Sequence, residues 1–366
     1  MSVCYPDYNN GIVNLACSVL KHYGAVYTHP TLPIADRLLG QNKRNVVALL
    51  LDGLGVKSLE YHLPQESFLR RHFITGISSV FPTTTTAAIT SLESGLTPAE
   101  HGWLGWSLYF SELDKIVNTF PNTDKLTGEQ AADYHVAGRY LPYKSIYGKI
   151  HEAGNAEAYS VSKFGSNKIE SFDGMTDEIV RLSRRQGRKY IYAYWEDPDA
   201  AMHMKGCEDS SITEWLKEAD RRLEHMANEL EDTLLIIIAD HGHININNKV
   251  LTDYPQLTKM MKRSISIESR TGGFYIKDKY KDDFPEEFKK IFGEDFLLLH
   301  KKDVIHMRLF GDGAIHPKFE ELIGDYLAIA VSDQNIVSSP KSMRFASNHA
   351  GLTDQEMMVP LIVIGC

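Results

Sequence analysis

The run Asn45-Val46-Val47-Ala48-Leu49-Leu50-Leu51, closed by Asp52-Gly53-Leu54-Gly55, decides how the rest of the chain is read. It is apolar without alternation, the pattern of a central parallel strand covered on both faces. A second run of the same kind, Leu234 to Ala239, ends at Asp240-His241-Gly242. The segment before it, about Thr213 to Glu231, sets Trp215, Leu216, Ala219, Leu223, Met226 and Leu230 near helical spacing with charges between them. Ala156 to Val161 and Tyr190 to Trp195 are further strand candidates, and Ile12 to His22 is a helical lead-in. Strand and helix alternate, which predicts an α/β protein with a mostly parallel sheet.

Between the first two of these strands lies Phe81-Pro82-Thr83-Thr84-Thr85-Thr86-Ala87-Ala88, leading on to Gly95. Ile74 to Val80 reads as a short strand, and the small residues after Thr86 suit a closely packed helix ended by Gly95. Four hydroxyls therefore fall where a strand becomes a helix. The unpaired N–H groups of a helix start favour a phosphate or an alkoxide. The simpler reading is that the threonines cap the helix.

The chain has 366 residues, 43% of them hydrophobic, enough for one large domain with insertions. A net charge of −9 with scattered Lys and Arg speaks against holding a nucleic acid polymer along its backbone. Cys4, Cys17, Cys207 and Cys366 are too few and too far apart for a disulfide framework, and no CxxC pair points to a thiolate metal site. No run approaches the ~18 apolar residues of a membrane span, and the N-terminus lacks a basic region followed by an apolar one. The expectation is a soluble, cytoplasmic protein. Two segments break the α/β rhythm. Gly102 to about Tyr143 is rich in aromatics, and Asn245 to about Asn348 is long and mixed, with Gly272 to Ile276 as one strand. Residues 1–366 are therefore read as one domain with a cap-like insertion at about 103–143 and a second insertion at about 245–345. The aromatics either line a ligand site or form a small satellite core.

Asp and His recur where strands end. Asp52 closes the first strand; Asp199 and His203 follow the strand ending at Trp195; Asp240 and His241 follow the next; His349 precedes the last apolar strand, Pro360 to Ile364. The carboxyl ends of strands carry the ligand crevice in open α/β sheets, so these residues should converge. Three carboxylates and three imidazoles together require cations. Nitrogen and oxygen donors without thiolate suit a pair of zinc ions, with manganese or iron as alternatives. His101 is read as fixing its own loop, His243 as a solvent-side residue rather than a support for the site, and Cys207 as a plain buried thiol. Asp197 competes with Asp199 for the place beside His203.

With Leu51-Asp52-Gly53, Phe81-Pro82-Thr83-Thr84-Thr85, Ser94-Gly95-Leu96-Thr97-Pro98-Ala99-Glu100-His101-Gly102, Pro198-Asp199, His203, Asp240-His241-Gly242 and His349-Ala350-Gly351, the chain resembles the alkaline phosphatase superfamily. Within it the resemblance is to the type I phosphodiesterase/nucleotide pyrophosphatase family, over about residues 45–245 and 345–364. The resemblance implies a three-layer α/β/α sandwich and two zinc ions. One would be held by Asp52, Asp240 and His241 beside a threonine nucleophile, which an ungapped match puts at Thr85; the other by Asp199, His203 and His349. It also selects Asp199 over Asp197. Three positions depart from the pattern. Thr86 stands where the nucleotide pyrophosphatases carry a base-stacking aromatic, Ala88 where they carry an asparagine that helps hold the transferring phosphate, and Thr84 where they carry a lysine.

The expected activity is hydrolysis of phosphodiester or phosphoanhydride bonds in small-molecule substrates through a phospho-threonine intermediate. No Lys or Arg occurs from Ile74 to Asp114, so the extra cation that favours doubly charged monoesters is missing nearby, which leaves Arg139 or Arg270 to fold over the site. Alternatives are a phosphomonoesterase, a phosphonate hydrolase, or a metal-binding protein without catalysis.

Overall fold

The computed structural model describes residues 2–340 and 344–366. A seven-stranded sheet runs in the spatial order Phe73–Ser78, Met358–Gly365, Thr233–Ile238, Asn45–Leu51, Lys189–Trp195, Glu157–Ser162, Asn167–Lys168. The Asn45–Leu51 strand sits at its middle, parallel to both neighbours. Met358–Gly365 is the reversed strand, antiparallel to the strands on either side. Every residue of Asn45–Leu51 and Thr233–Ile238 is buried, so both faces are covered and the unbroken apolar runs have their physical reason.

Two sets of helices provide the cover. Ile12–His22, Thr85–Ser94 and Ile146–Ala153 pack on one another, and Ser210–Glu229 packs on Val56–His62, Phe68–Arg71 and Phe172–Ser183. Together with the sheet they enclose one continuous apolar core, in which each fully buried Leu or Ile contributes about 1.5–3 kcal/mol. This is the three-layer α/β/α arrangement.

The two aromatic and mixed segments meet in a second, separate seven-stranded sheet. Its order is Phe296–His300, Tyr326–Ala330, Thr271–Phe274, Ser266–Ile267, Ser107–Phe110, Lys115–Asn118, Thr123–Asp124, with every pairing antiparallel. The join is Ile267 opposite Ser107. Trp103, Leu108, Phe110 and Val117 from one segment share a core with Ile267, Phe319 and Leu327 from the other. Many of the aromatics thus build a satellite core, whereas Trp106 and Phe120 remain 44% and 37% exposed. Among the described residues no helix is long and apolar enough to cross a membrane.

Candidate active site and metal centre

The three central parallel strands end together. Asp52 N–H donates to the Trp195 carbonyl (3.0 Å) and Asp199 N–H donates to the Asp52 carbonyl (3.0 Å), which locks the two strand ends side by side. Gly53 has φ +74°, and a Cβ there would approach Asp199 Cβ and His243 Cδ2 to 3.0 Å. Glycine is thus required for the Asp52 turn to fit under those side chains. Gly242 is equally constrained, since a Cβ would lie 2.0 Å from the Gln355 carbonyl.

Asp52, Asp240 and His241 form one donor group. Asp52 Oδ2 accepts from the Tyr194 hydroxyl (2.5 Å), and Asp240 Oδ1 accepts from the N–H groups of Gly53 and His241 (3.0 Å each). The other oxygens, Asp52 Oδ1 and Asp240 Oδ2, are buried with no hydrogen-bond partner. Both stand 3.4 Å from His241 Nε2, while His241 Nδ1 is turned to the Gly242 carbonyl at 3.1 Å. Burial, with Asp240 and Asp199 nearby, pushes the Asp52 carboxyl well above its usual range. Orphaned carboxylate oxygens facing an imidazole lone pair in a dry site cost several kcal/mol unless a cation joins them. A divalent cation therefore fits this donor set.

The second group is Asp199, His203, His243 and His349, whose ligand atoms all lie within 4.8 Å of one another. Asp199 Oδ1 is 2.5 Å from His243 Nε2, 3.4 Å from His203 Nε2 and 3.8 Å from His349 Nε2. Burial works against the Asp199 carboxylate, but the surrounding imidazoles outweigh it and hold the group ionised. Burial pushes His243 down to about 4. It also takes His349 well below the usual histidine range, with His241 adding to the effect. Asp199 also reaches the first group, with a ligand atom within 4.8 Å of those of Asp52 and His241. The His241 and His349 rings stack at 3.7 Å between centroids and join the two groups.

His243 corrects the sequence expectation: it is buried rather than solvent-side, and it belongs to this cluster. His101 does fix its own loop, with Nε2 3.0 Å from Ser91 Oγ and Nδ1 accepting from Trp103 N–H. Cys207 lies in neither donor group, and burial pushes its thiol up to about 12. Asp197 is likewise outside both groups.

The four threonines have four different fates. Thr84 is the N-cap of the Thr85–Ser94 helix, yet its side chain makes no cap bond, so the simple capping explanation does not hold. Its hydroxyl donates to Glu268 Oε1 (2.6 Å), which also accepts from Trp106 N–H (2.7 Å), tying the helix start to the second sheet. The Thr83 carbonyl accepts from His349 Nδ1 (2.9 Å), and its hydroxyl accepts from Ala350 N–H (3.1 Å). Thr86 Oγ1 is buried without a partner. Thr85 Oγ1 alone meets the donor groups, 3.1 Å from His241 Nε2.

Neither distant arginine covers the site. Arg139 lies over the Tyr134 ring at 4.4 Å, and Arg270 is fully buried in a two-pronged pair with Glu356 (2.7 and 2.8 Å). Sequence reasoning missed Glu268, Tyr194 and Ser347, whose types are common in structural roles; only His243, two residues from His241, carried a signal. Next to Glu268 a cleft of about 170 Å³ is lined by Trp106, Asn118, Lys125, Asn335, Phe345 and Asn348. The Phe345 ring stands 4.3 Å from that of His203, so the cleft borders the second donor group.

Fold and donor groups together define a three-layer α/β/α protein with a buried carboxylate–histidine cluster that could hold metal ions at its strand ends. Residues 46–351 match the family described as type I phosphodiesterase/nucleotide pyrophosphatase, and the chain belongs to that family. Among solved structures it is similar to murine ectonucleotide pyrophosphatase/phosphodiesterase 5, with 15% identity, 88% of each chain covered and a TM-score of 0.68. The human protein of that name gives 17% identity, 87% of each chain and 0.67. An inactive threonine-to-alanine variant of the murine protein in complex with AMP gives 14%, 86% of this chain, 87% of that one and 0.67. No curated protein sequence matches the chain at a significant level.

Proposed function

We propose that the chain hydrolyses small-molecule phosphodiesters or phosphoanhydrides at a pair of zinc ions, with Thr85 as the nucleophile. The observation that carries this is the placement of Thr85 Oγ1 at a helix start, 3.1 Å from His241 Nε2, which itself stands 3.4 Å from two buried carboxylate oxygens without partners. Asp52, Asp240 and His241 would hold one ion next to Thr85; Asp199, His203 and His349 would hold the other. Such a pair supplies positive charge and Lewis acidity to a hydroxyl and to the oxygens of a transferring phosphoryl group.

The chain's own residues do the rest. The N–H groups at the start of the Thr85–Ser94 helix favour negative charge on Thr85 Oγ1 and on a phosphoryl group in front of it. Thr85 Oγ1 bonds to phosphorus as the bond to the leaving oxygen breaks, and water then cleaves the threonine ester and restores the hydroxyl. Thr84 and Glu268 hold the helix start in place, and the cleft beside them receives the part of the substrate that is not transferred. The inactive threonine-to-alanine variant of the murine relative supports a threonine in this role.

Diesters should be preferred. The carboxyl of Glu268, not an ammonium group, meets Thr84, both candidate arginines are engaged elsewhere, and Lys125, which lines the cleft, donates to Ser107 Oγ and the Ile265 carbonyl. The test compares kcat/KM for bis(4-nitrophenyl) phosphate and 4-nitrophenyl phosphate on one zinc-loaded preparation. Preference for the diester by about tenfold or more is expected, since one missing charge-assisted contact to a dianion is worth at least that. Preference for the monoester would contradict the diesterase reading.

A further inference from the structure

The cleft beside Glu268 holds a cation that the proposed function leaves unused. Lys125 lines it, and its ammonium group donates to Ser107 Oγ (3.1 Å) and to the Ile265 carbonyl (2.9 Å). Both acceptors are neutral. Among the described residues no carboxylate forms an ion pair with Lys125, and Glu268 is the charged group that acts on it from further off. An ammonium group has three protons, so one of them and the charge itself are left for the cleft. Burial pulls the lysine down to about 8, against the pull of Glu268, which keeps it mostly protonated near neutral pH. Buried charges are paired as a rule, and no side chain among the described residues pairs this one.

The cleft leads away from the donor groups. Trp106, Asn118 and Lys125 line it and also line a wider cavity of about 960 Å³. Glu268, bonded to the neighbour of Thr85, lines only the narrow cleft, so the lysine stands further out, where the two spaces meet. The acids on the wall of the wider cavity are engaged: Asp114 pairs with Arg263 at 3.2 Å and Asp124 with Lys115 at 3.8 Å. Glu268 spends Oε1 on the Thr84 hydroxyl and the Trp106 N–H. A chain of net charge −9 thus keeps a cation with no acid paired to it in the passage beside its candidate metal centre.

We infer that Lys125 recognises a second anionic group of the substrate, a carboxylate or a further phosphate carried on the part that enters the cleft. The inference rests on the hydrolase reading above and narrows it: the preferred ester or anhydride bears a negative charge beyond the phosphorus that Thr85 attacks. A hydroxyl or an amide would take up the third proton but leave the charge unanswered, whereas a charge-assisted bond answers both. Lys125 is a specificity residue on this account. It meets the far group and not the transferring phosphoryl, so the preference for diesters at Thr85 is unaffected.

The rival role is structural: the two bonds of Lys125 tie Ser107 to Ile265 where the halves of the second sheet join. Lys125→Gln separates the two, because the amide keeps a donor for those acceptors and removes the charge. The probes are bis(4-carboxyphenyl) phosphate and bis(4-carbamoylphenyl) phosphate. They differ in end-group charge at nearly equal size and carry the group on both sides of phosphorus. Their kcat/KM values are compared on zinc-loaded wild type and variant. The carboxylate-to-carbamoyl ratio should fall by about tenfold or more in the variant, as for loss of one hydrogen bond to a charged group. The carbamoyl ester itself should change by less than about threefold. Equal losses on both esters, or no loss on either, overturn the inference and leave the hydrolase reading intact. The wild type needs no variant to be informative, since preference for the carbamoyl ester overturns the inference as well. A sulfonate and sulfonamide pair in the same positions tells a tetrahedral, phosphate-like anion from a planar carboxylate, and Lys125→Gln should abolish the preference for whichever anion is favoured. A wild type that hydrolyses no diester, bis(4-nitrophenyl) phosphate included, overturns the hydrolase reading and this inference with it.

Discussion

The two donor groups are assembled in opposite ways. Asp52, Asp240 and His241 come from the ends of two adjacent strands of one sheet and retain two unpartnered carboxylate oxygens. Asp199, His203, His243 and His349 combine three imidazoles with one carboxylate and come from three separate stretches, the last beyond the whole second sheet. The first group stores negative charge at the centre of the rigid sheet; the second depends on a loop that has to be brought back and fastened. That loop is held by Thr83 on one side and by the Arg270–Glu356 pair on the other, since Glu356 Oε1 also accepts from Gly351 N–H at 2.7 Å.

Thr85→Ala should break the first group's chemistry while leaving its metal in place. Turnover should fall by about 10³-fold or more, as for loss of other activated nucleophiles, with metal content near that of wild type. If Thr84→Ala is the inactive variant instead, the helix start is being read one residue out. Asp240→Asn should lower both metal content and rate, the rate by about 100-fold, because a neutral amide in place of an unpartnered carboxylate oxygen is a weak ligand. Unchanged metal content in that variant would remove the distinction between the groups.

Arg270→Ala aims at the second group from a distance. Breaking a buried ion pair should destabilise the fold by about 3–5 kcal/mol, seen in the urea midpoint. The cation held with His349 should become easier to strip than the one beside Thr85; equal loss of both would mean that the loop is not the weak point. The smallest effect belongs to Thr84→Ala, which removes one hydrogen bond to Glu268. About 1–2 kcal/mol of stability and less than about tenfold in rate are expected.

The same contrast explains what could be read in the sequence. Asn45–Leu51 and Thr233–Ile238 are buried on both faces, so their apolar runs, and the acids that end them, stood out at once. The second sheet did not. Its strands are two to five residues long and pair segments as far apart as Ser107 and Ile267, so neither periodicity nor local turns announce them. The threonine run marked a functional helix start, but the separate tasks of Thr83, Thr84 and Thr85 depend on partners more than 150 residues away. His243 was misjudged because a histidine in a loop gives no sign of burial, and Ser347, which orients it, follows the 245–345 insertion. Nothing in the sequence around Glu268 marks it, because only the second sheet brings it to Thr84.

Zinc titration of the metal-free protein, with bound metal and diester turnover followed on one sample, tests the central claim most directly. Two equivalents per chain should bind, and turnover should appear only as the second one does. Full activity with one equivalent, or with none in the presence of a strong chelator, would contradict the account.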